Sequence, residues 1–275
     1  MQRGLFRPYT KLNEDMLNGA SAEFFCIEEN GDDALSIYSD GSSKESCVMR
    51  DDTTVLLEMT TFDLTDNGDL LDWTSELGLD EKSFLNRLDS VLAAGYPVLL
   101  SNFFEYYRIS GYLQRAIGKG KGKFAIVLGV PAMKQLFNEA FYSDLEGGLL
   151  ENFGRLARSD MQLYLYPTVD ETGNVITANS LELPEDVEDL YEFLLKRNVV
   201  LPVQYFDEEL LRKVGPKSVG KKVKDMIEAG DEAWRDFVPK KVAQKICENN
   251  LYGSMDSSTD GLDAPVEAGS GVYRF

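Results

Sequence analysis

Histidine is missing from this chain of 275 residues. Without an imidazole the chain cannot form a Ser-His-Asp or Cys-His relay, cannot bind a metal through histidine, and has no histidine acid or base. This absence excludes most of the common hydrolase designs. The chemistry that remains is carried by carboxylate, lysine or tyrosine side chains or by magnesium-assisted phosphoryl transfer, unless there is no catalysis at all.

Cysteine is scarce as well, since Cys26, Cys47 and Cys247 are the three in the chain. Their number is odd and no Cys-x-x-Cys pair occurs, which argues against a disulfide framework and against a zinc site. We therefore expect a reducing intracellular compartment, either the cytoplasm or an organelle interior, and we expect no bound metal or cofactor.

Long apolar runs are also missing. No stretch approaches the ~20 apolar residues that cross a bilayer as a helix, and residues 1–7 lack the apolar core of a secretory signal. The sequence therefore predicts no transmembrane segment.

Basic residues are outnumbered by acidic ones, 28 against 47, and the net charge is −19 at pH 7. A phosphate backbone would be repelled by this charge, which disfavours a nucleic-acid partner. The first twelve residues depart from the pattern, because they contain Arg3, Arg7 and Lys11 and no acid. Such a basic segment is typical of an element that docks onto an acidic protein partner.

Three apolar runs, at residues 98–100, 124–128 and 161–166, alternate with segments whose apolar residues recur at helical spacing. This alternation is typical of βαβ units. We predict an α/β fold, with an open parallel Rossmann-like sheet, flanking helices, a small N-terminal β region and a helical C-terminal region. The three runs are expected to be neighbouring parallel strands, and residues 81–94 are expected to form a helix.

Composition divides the chain into five segments. We expect an extended arm over residues 1–20, a small β module over 21–62, the parallel-sheet domain over 63–200, a helical region packed on it over 201–252, and an acidic tail rich in glycine and serine over 253–275. The β module is predicted from short apolar stretches, such as residues 23–27, and from the hairpin signals Asn30-Gly31 and Asp40-Gly41.

The carboxyl edge of a parallel sheet is where open α/β folds bind ligands. The predicted strand ends bring Ser101, Asn102 and Gly129 to this edge, and the helix that follows adds Glu105 and Arg108. An arginine with these neighbours fits an anion or a nucleotide, and a site for a small phosphorylated ligand is therefore one interpretation. The structural interpretation is favoured, because Asn102 and Glu105 also fit a helix cap and Arg108 fits a surface ion pair.

Two familiar phosphate motifs are incomplete. Residues 118–123, Gly-Lys-Gly-Lys-Gly-Lys, resemble a phosphate loop, but they precede a strand instead of following one and therefore lie at the wrong edge of the sheet. Ser101 ends its strand as in the second motif of haloacid-dehalogenase-like phosphatases. Such an enzyme also needs an Asp-x-Asp pair on an earlier strand, and Asp63 and Asp66 have a different spacing.

Seven further motifs resemble a family of longer, poorly characterised bacterial proteins. They are Ser101-Asn-x-x-Glu-Tyr-Tyr-Arg108, Leu128-Gly-Val130, Leu136-Phe-x-Glu139, Tyr142-x-Asp-Leu-Glu-Gly-Gly148, Glu151-x-Phe-Gly-Arg-Leu156, Leu163-Tyr-x-Tyr-Pro167 and Ala229-Gly-Asp-x-x-Trp234. The resemblance covers about residues 81–253, and that family carries the labels nicotinamide-nucleotide adenylyltransferase and TonB-dependent receptor. It implies a shared α/β fold and no activity. An adenylyltransferase of the nucleotidyl-transferase type would be expected to use a His-x-Gly-His loop, which this chain cannot supply.

Two functions from different classes remain. The first is a non-catalytic structural or assembly subunit of a larger protein complex, a scaffold that docks onto other protein subunits through extended termini with Phe6, Tyr9, Tyr273 and Phe275 as aromatic anchors. The second is an enzyme that acts on a nucleotide or another phosphorylated metabolite at the carboxyl edge of the sheet. The missing histidine and the incomplete motifs favour the first.

Overall fold

The computed structural model describes residues 1–26, 53–60, 62–64, 70–72, 81–118, 122–157, 161–216 and 218–253. Their strands and helices, in chain order, are β1 (Gln2–Arg3), α1 (Lys11–Cys26), β2 (Leu57–Thr60), β3 (Phe62–Leu64), β4 (Leu70–Asp72), α2 (Glu81–Ala93), β5 (Val98–Ser101), α3 (Tyr106–Ile117), β6 (Phe124–Gly129), α4 (Val130–Leu136), α5 (Gly148–Ala157), β7 (Met161–Tyr166), β8 (Thr168–Val169), β9 (Val175–Ile176), α6 (Glu185–Lys196), β10 (Val200–Pro202), α7 (Glu208–Val214), α8 (Val219–Glu228) and α9 (Lys240–Glu248). Short 3₁₀ helices lie at Glu139–Tyr142, Glu232–Phe237 and Leu251–Gly253.

Six of the described strands form one parallel sheet in the spatial order β5-β2-β1-β6-β7-β10. Numbered by their order along the chain, these strands stand as 3-2-1-4-5-6, which is the arrangement of doubly wound α/β folds. From β1 in the middle, the chain builds one half of the sheet outward to β5 and then returns to the other side of β1. The prediction of an α/β fold with an open parallel sheet and flanking helices is confirmed.

The three strands expected to be neighbours all belong to this sheet and are parallel, but only two of them are adjacent. β6 and β7 pair along their whole length, with Ile126 opposite Leu163. β5 lies at an edge of the sheet and pairs with β2, so that β1 and β2 stand between β5 and β6. The expectation of direct contact is wrong for β5, because β1 is a two-residue polar strand that leaves no apolar run in the sequence.

The prediction of an extended arm over residues 1–20 is wrong. β1 is a central strand that hydrogen-bonds on both sides: the Gln2 amide donates to the Leu56 carbonyl at 2.9 Å, and the Val127 amide donates to the Met1 carbonyl at 3.0 Å. Gln2 is itself almost fully buried. Since a central strand must satisfy its backbone groups on both edges, residues 1–4 are part of the sheet.

An N-terminal cap and a stripe of apolar residues explain why residues 11–26 form helix α1. The Thr10 hydroxyl accepts the Asn13 amide at 3.3 Å, which satisfies one of the open amides at the start of the helix. Met16, Leu17 and Ala20 are buried at helical spacing. The helix continues to Cys26, so the strand expected at residues 23–27 is wrong over its first four positions. The rest of the β module up to residue 52 lies outside the described residues.

Buried side chains form one apolar cluster on each face of the sheet. Val127 and Tyr164 belong to the cluster that contains residues of α1, α2 and α7–α9, whereas Ile126 and Leu163 belong to the cluster that contains residues of α3–α6. Successive residues of a strand point to opposite faces, which explains this division. The C-terminal helices α7–α9 therefore pack on the same face of the sheet as α1 and α2.

Among the described residues, no helix has both the length and the apolar character needed to cross a membrane.

Candidate functional site

A buried ion pair joins three neighbouring strands near their carboxyl ends. Arg3 of β1 donates from Nε to Glu58 Oε2 of β2 at 2.5 Å and from Nη2 to Oε1 at 3.1 Å. The hydroxyl of Ser101, the last residue of β5, donates to the same Oε1 at 2.5 Å. The Glu58 side chain is 0% exposed and that of Arg3 is 8% exposed. A charged pair this deep persists because its hydrogen bonds replace those that water would make.

The same cluster fixes the loop between β5 and α3. Arg3 donates from Nη1 to the Phe104 carbonyl at 2.5 Å and from Nη2 to the Phe103 carbonyl at 2.9 Å. The Thr60 hydroxyl donates to the Phe103 carbonyl at 3.0 Å. Residues of β1 and β2 thereby hold the backbone that presents the start of α3.

A cavity of about 400 Å³ opens beside this loop. The loop and the start of α3 form one wall, and the 3₁₀ helix Glu139–Tyr142 with the residues after it forms the other. The lining residues are Asn102, Phe104, Glu105, Arg108, Ala140, Phe141, Ser143 and Asp144. The volume lies in the range of small-molecule sites.

Arg108 is the cationic residue of this cavity. Its Nε lies 3.1 Å from Glu105 Oε2 and donates to the Tyr107 hydroxyl at 3.2 Å. The hydrogen bond to Tyr107 and the carboxylates of Glu105 and Asp144 raise the pKa of Arg108, so the guanidinium stays charged. The Arg108 side chain is about half exposed, and an ion pair in that setting adds little to stability.

The helix cap expected from Asn102 and Glu105 does not form. Helix α3 begins at Tyr106 with Glu105 in the N-cap position, and the Glu105 side chain makes no capping hydrogen bond. Asn102 lies three residues before that position. Neither side chain is used to cap the helix, and both line the cavity.

Ser101 and Gly129 do not line the cavity. Ser101 lies one layer deeper, bonded to Glu58. Gly129 ends β6 on the far side of β1 and β2, where a Cβ would lie 3.7 Å from Pro131 and 4.0 Å from Met16. The structure thus brings Asn102, Glu105 and Arg108 together and does not bring Gly129 to them.

The usual ligand position of a doubly wound sheet is filled by the chain itself. With the strand order seen here, that position lies at the carboxyl ends of β1 and β6, where the order reverses. The loop that leaves β1 at this point contains Phe6 and Tyr9, which are 4% and 0% exposed and have ring centres 5.6 Å apart. Nucleotide-binding loops use glycine here so that phosphates can approach the backbone. In this protein the Phe6 ring occupies the space next to Gly4, because a Cβ added to Gly4 would lie 2.9 Å from that ring.

Helices α2 and α8 cover that loop. Arg87 of α2 donates from Nε to the Leu5 carbonyl at 2.7 Å. From the C-terminal region, Gly220 of α8 packs so closely that a Cβ there would lie 3.2 Å from the Arg7 carbonyl oxygen. The crevice at the reversal of strand order is therefore closed by two helices as well as by aromatic rings.

The aromatic residues predicted to anchor a partner are placed differently from that expectation. Phe6 and Tyr9 are core residues, and their burial leaves no surface for a partner. That part of the prediction is wrong, because the segment that carries them is wrapped between helices and the sheet. Tyr273 and Phe275, the anchors expected at the other end, lie outside the described residues, as does the tail beyond Gly253.

A larger cavity of about 1290 Å³ opens at the opposite, amino edge of the sheet, where its lining includes Thr53, Lys123 and Gln162. In βαβ units the carboxyl ends of the helices point to this edge, and their dipoles disfavour anions there. The glycine- and lysine-rich run at residues 118–123 leads into this edge, and its residues 119–121 lie outside the described residues. We therefore assign the candidate site to the carboxyl edge.

Tyr166 and Asp15 form another buried polar contact, and it serves to join elements. The Tyr166 hydroxyl donates to Asp15 Oδ2 at 2.7 Å, and the Asp207 amide donates to the same oxygen at 2.8 Å. Burial and the Asp15 charge raise the pKa of Tyr166, which keeps the phenol protonated.

Within the part of the chain that the structure describes, no group of three or more Cys, Asp and Glu residues is placed to hold a metal ion.

Sequence reasoning missed Glu58 and the second wall of the cavity. Glu58 is the one charged residue of the run Val55-Leu-Leu-Glu-Met59, and a charge inside an apolar strand signals a buried partner. Phe141 carries no such signal, because it lies in the short 3₁₀ helix Glu139–Tyr142, which only the fold brings to the cavity.

No known protein-family model matches this chain, and no curated protein is significantly similar to it in sequence. The resemblance to poorly characterised bacterial proteins therefore stays a prediction.

Proposed function

We propose that this chain is a non-catalytic subunit of a larger protein assembly. The observation that supports this most is the filled crevice at the reversal of strand order. An enzyme on a doubly wound sheet uses that crevice to hold its substrate or cofactor. Here Phe6 and Tyr9 occupy it beneath α2 and α8. The missing histidine supports the same conclusion.

The docking surface that we propose is the α2–β5 face, made of Leu85 and Leu92 in α2 and Leu100 in β5. These side chains are 54%, 52% and 47% exposed. Leu85 and Leu92 are seven residues apart and share one side of the helix. Leu100 alternates with Leu99 and so points to the same face of the sheet as Val98, which packs in the cluster that contains α2 residues. Exposed leucines on an edge strand and on a helix at the same face of the sheet are typical of an interaction surface.

The partner that we propose for this face is a different protein with a basic surface around its apolar contact. The net charge of −19 opposes association of two copies of this chain and attracts a positively charged partner. The acidic tail, with Tyr273 and Phe275 near its end, would contribute a second contact to the same partner. The odd number of cysteines and the lack of a Cys-x-x-Cys pair fit a reducing intracellular compartment for the assembly, and the charge disfavours nucleic acid as the partner.

The experiment that tests this proposal is co-purification with a paired substitution. A tagged chain carrying Leu85→Lys and Leu92→Lys is expressed in the source cells beside the wild type and beside a Leu150→Lys control. Leu150 is 69% exposed on α5, away from the proposed face. We expect the paired variant to lose the subunits that the wild type and the control retain. Retention by all three would contradict the proposal.

A second candidate function is an enzyme that acts on a nucleotide or another phosphorylated metabolite. The cavity beside α3 supports it, since Asn102, Glu105 and Arg108 line a space of suitable size at the carboxyl edge. Calorimetry with ATP and sugar phosphates tests it. Binding that is lost in Arg108→Ala would favour this function, and no heat of binding with the whole panel would remove it.

A further inference from the structure

The cavity beside α3 contains two charged groups, Arg108 and Asp144, that keep open hydrogen-bonding positions among the described residues. Both polar contacts of the Arg108 guanidinium use Nε, so within the described residues its Nη1 and Nη2 donate to no protein atom. The Asp144 carboxylate interacts with Arg108 through its charge, and within the described residues it accepts no hydrogen bond. An open guanidinium fork fits a carboxylate, and an open carboxylate fits an ammonium group.

The balance of charge in the cavity disfavours a phosphorylated ligand. Among the described lining residues, Arg108 carries one positive charge, and Glu105 and Asp144 carry two negative charges. A phosphate monoester would add about two further negative charges to this lining. A ligand with one carboxylate and one ammonium group adds no net charge and has a partner for each open group.

The apolar part of the cavity is an aromatic pair. The rings of Phe104 and Phe141 meet edge to face, with centres 4.9 Å apart and planes at 65°. They come from the two opposite walls and line the cavity together with the charged groups. Such a pair offers an apolar surface to a side chain of the ligand.

We propose that this cavity binds a small zwitterion with the head group of an α-amino acid and an apolar side chain. Arg108 holds the carboxylate through Nη1 and Nη2, Asp144 holds the ammonium group, and Phe104 and Phe141 contact the side chain. This inference rests on the second candidate function, the enzyme with its site in this cavity, in one respect only: both require that the cavity binds a small ligand. It is independent of the proposed α2–β5 docking face.

The test is calorimetry on the full chain with four probes: L-phenylalanine, 3-phenylpropionate, 2-phenylethylamine and inorganic phosphate. We expect saturable binding of L-phenylalanine. The two analogues that lack one charged group are expected to bind about tenfold or more weakly, since each loses a charged hydrogen bond. Phosphate is expected to bind most weakly of the four.

Two substitutions with matched controls assign the two charged groups. Arg108→Gln is expected to weaken L-phenylalanine and 3-phenylpropionate and to leave 2-phenylethylamine unchanged, whereas Asp144→Asn is expected to weaken L-phenylalanine and 2-phenylethylamine. Arg115→Gln and Glu146→Gln change exposed residues of like charge outside the cavity and serve as controls. Unfolding midpoints equal to that of the wild type show that each variant is folded.

The possible outcomes separate this inference from the function on which it rests. If phosphate binds more tightly than L-phenylalanine and Arg108→Gln abolishes that binding, the amino-acid inference is overturned and the phosphorylated-ligand function is kept. If none of the four probes binds at millimolar concentration, this inference is overturned as well, and calorimetry with nucleotides and sugar phosphates decides the second function. Variants that weaken L-phenylalanine no more than their controls would also overturn it.

Discussion

The guanidinium of Arg3 and the carboxylate of Glu58 form an ion pair 2.5 Å long near the carboxyl ends of the adjacent strands β1 and β2. Both side chains are buried, so each charge depends on the other for compensation. Through the Phe103 and Phe104 carbonyls, the pair also fixes the loop that forms one wall of the cavity. The stability of the sheet and the shape of the candidate site are thereby linked.

Glu58→Gln is expected to lower the free energy of unfolding by about 3–5 kcal/mol, because it leaves the Arg3 charge buried without its partner. Glu192→Gln is the control, since it breaks the ion pair with Lys196, which is 2.7 Å long and exposed on α6. That change is expected to cost about 1 kcal/mol or less. Urea unfolding at neutral pH measures both variants. Equal losses would contradict the role given to the buried pair.

Gly19 is expected to tolerate no side chain, although it lies within helix α1. A Cβ at this position would lie 2.2 Å from the Tyr205 carbonyl oxygen and 2.8 Å from Val203. Gly19→Ala is therefore expected to destabilise the protein by about 1–3 kcal/mol through overpacking. At Gly154 in α5 an added Cβ would meet no described atom within 4 Å apart from its chain neighbours and the backbone of its own helix, so Gly154→Ala is expected to stabilise by up to about 1 kcal/mol through helix propensity. Thermal unfolding measures both variants, and the midpoint is expected to fall in Gly19→Ala and to rise in Gly154→Ala. A Gly19→Ala variant with a raised midpoint would contradict the close contact between α1 and the Tyr205 carbonyl.

Glu23 is expected to make stability depend on pH. Burial raises the pKa of Glu23 above its usual value near 4.5, and the amides of Gln204 and Tyr205 offset part of that effect. Because the folded pKa is raised, the folded state holds the proton more tightly than the unfolded state. The stabilisation is complete below pH 4.5 and is lost as pH rises through the raised folded pKa.

The variant Glu23→Gln isolates this effect, since it stays neutral and keeps an oxygen that can accept the Gln204 amide, now bonded at 3.0 Å. Its free energy of unfolding relative to the wild type is expected to increase as pH is raised from about 4 to 7. Chemical denaturation at several pH values measures this difference. A difference that stays constant or decreases would contradict the buried setting of Glu23.

Removal of the residues after Gly253 is expected to separate assembly from folding. The segment after Gly253 is rich in glycine, serine and aspartate and has few apolar residues, so the truncated chain is expected to unfold within about 0.5 kcal/mol of the full chain. Because Tyr273 and Phe275 are proposed to contact the partner, the truncated chain is expected to bind it more weakly. A truncated chain that joins the assembly as well as the full chain does would contradict the proposed contact between the tail and the partner.

The fold class could be predicted from the sequence because β6 and β7 are continuous apolar strands between amphipathic helices. The centre of the sheet could not be predicted, since β1 has the sequence Gln2-Arg3 and owes its place to backbone hydrogen bonds. For α1 a signal was present: Leu12, Met16 and Ala20 recur four residues apart. The neighbouring Arg7 and Lys11 instead suggested a basic docking arm.

The candidate site was predicted in part. Asn102, Glu105 and Arg108 follow one strand directly, so chain proximity places them together. Gly129 was assigned to the same site on the assumption that β5 and β6 are adjacent, and the insertion of β1 and β2 separates them. The expectation that Phe6 and Tyr9 contact a partner depends on an extended arm over residues 1–20, and an aromatic residue beside a basic one looks the same in sequence whether it is exposed or buried.

The mass of the native particle that contains this chain tests the central proposal most directly. The chain alone has a mass of 30.8 kDa. Native mass spectrometry of the tagged chain from its source cells is predicted to show a larger particle with other protein subunits in fixed stoichiometry. A particle of 30.8 kDa with a measurable turnover that Arg108→Ala abolishes would contradict the proposal and identify the chain as an enzyme.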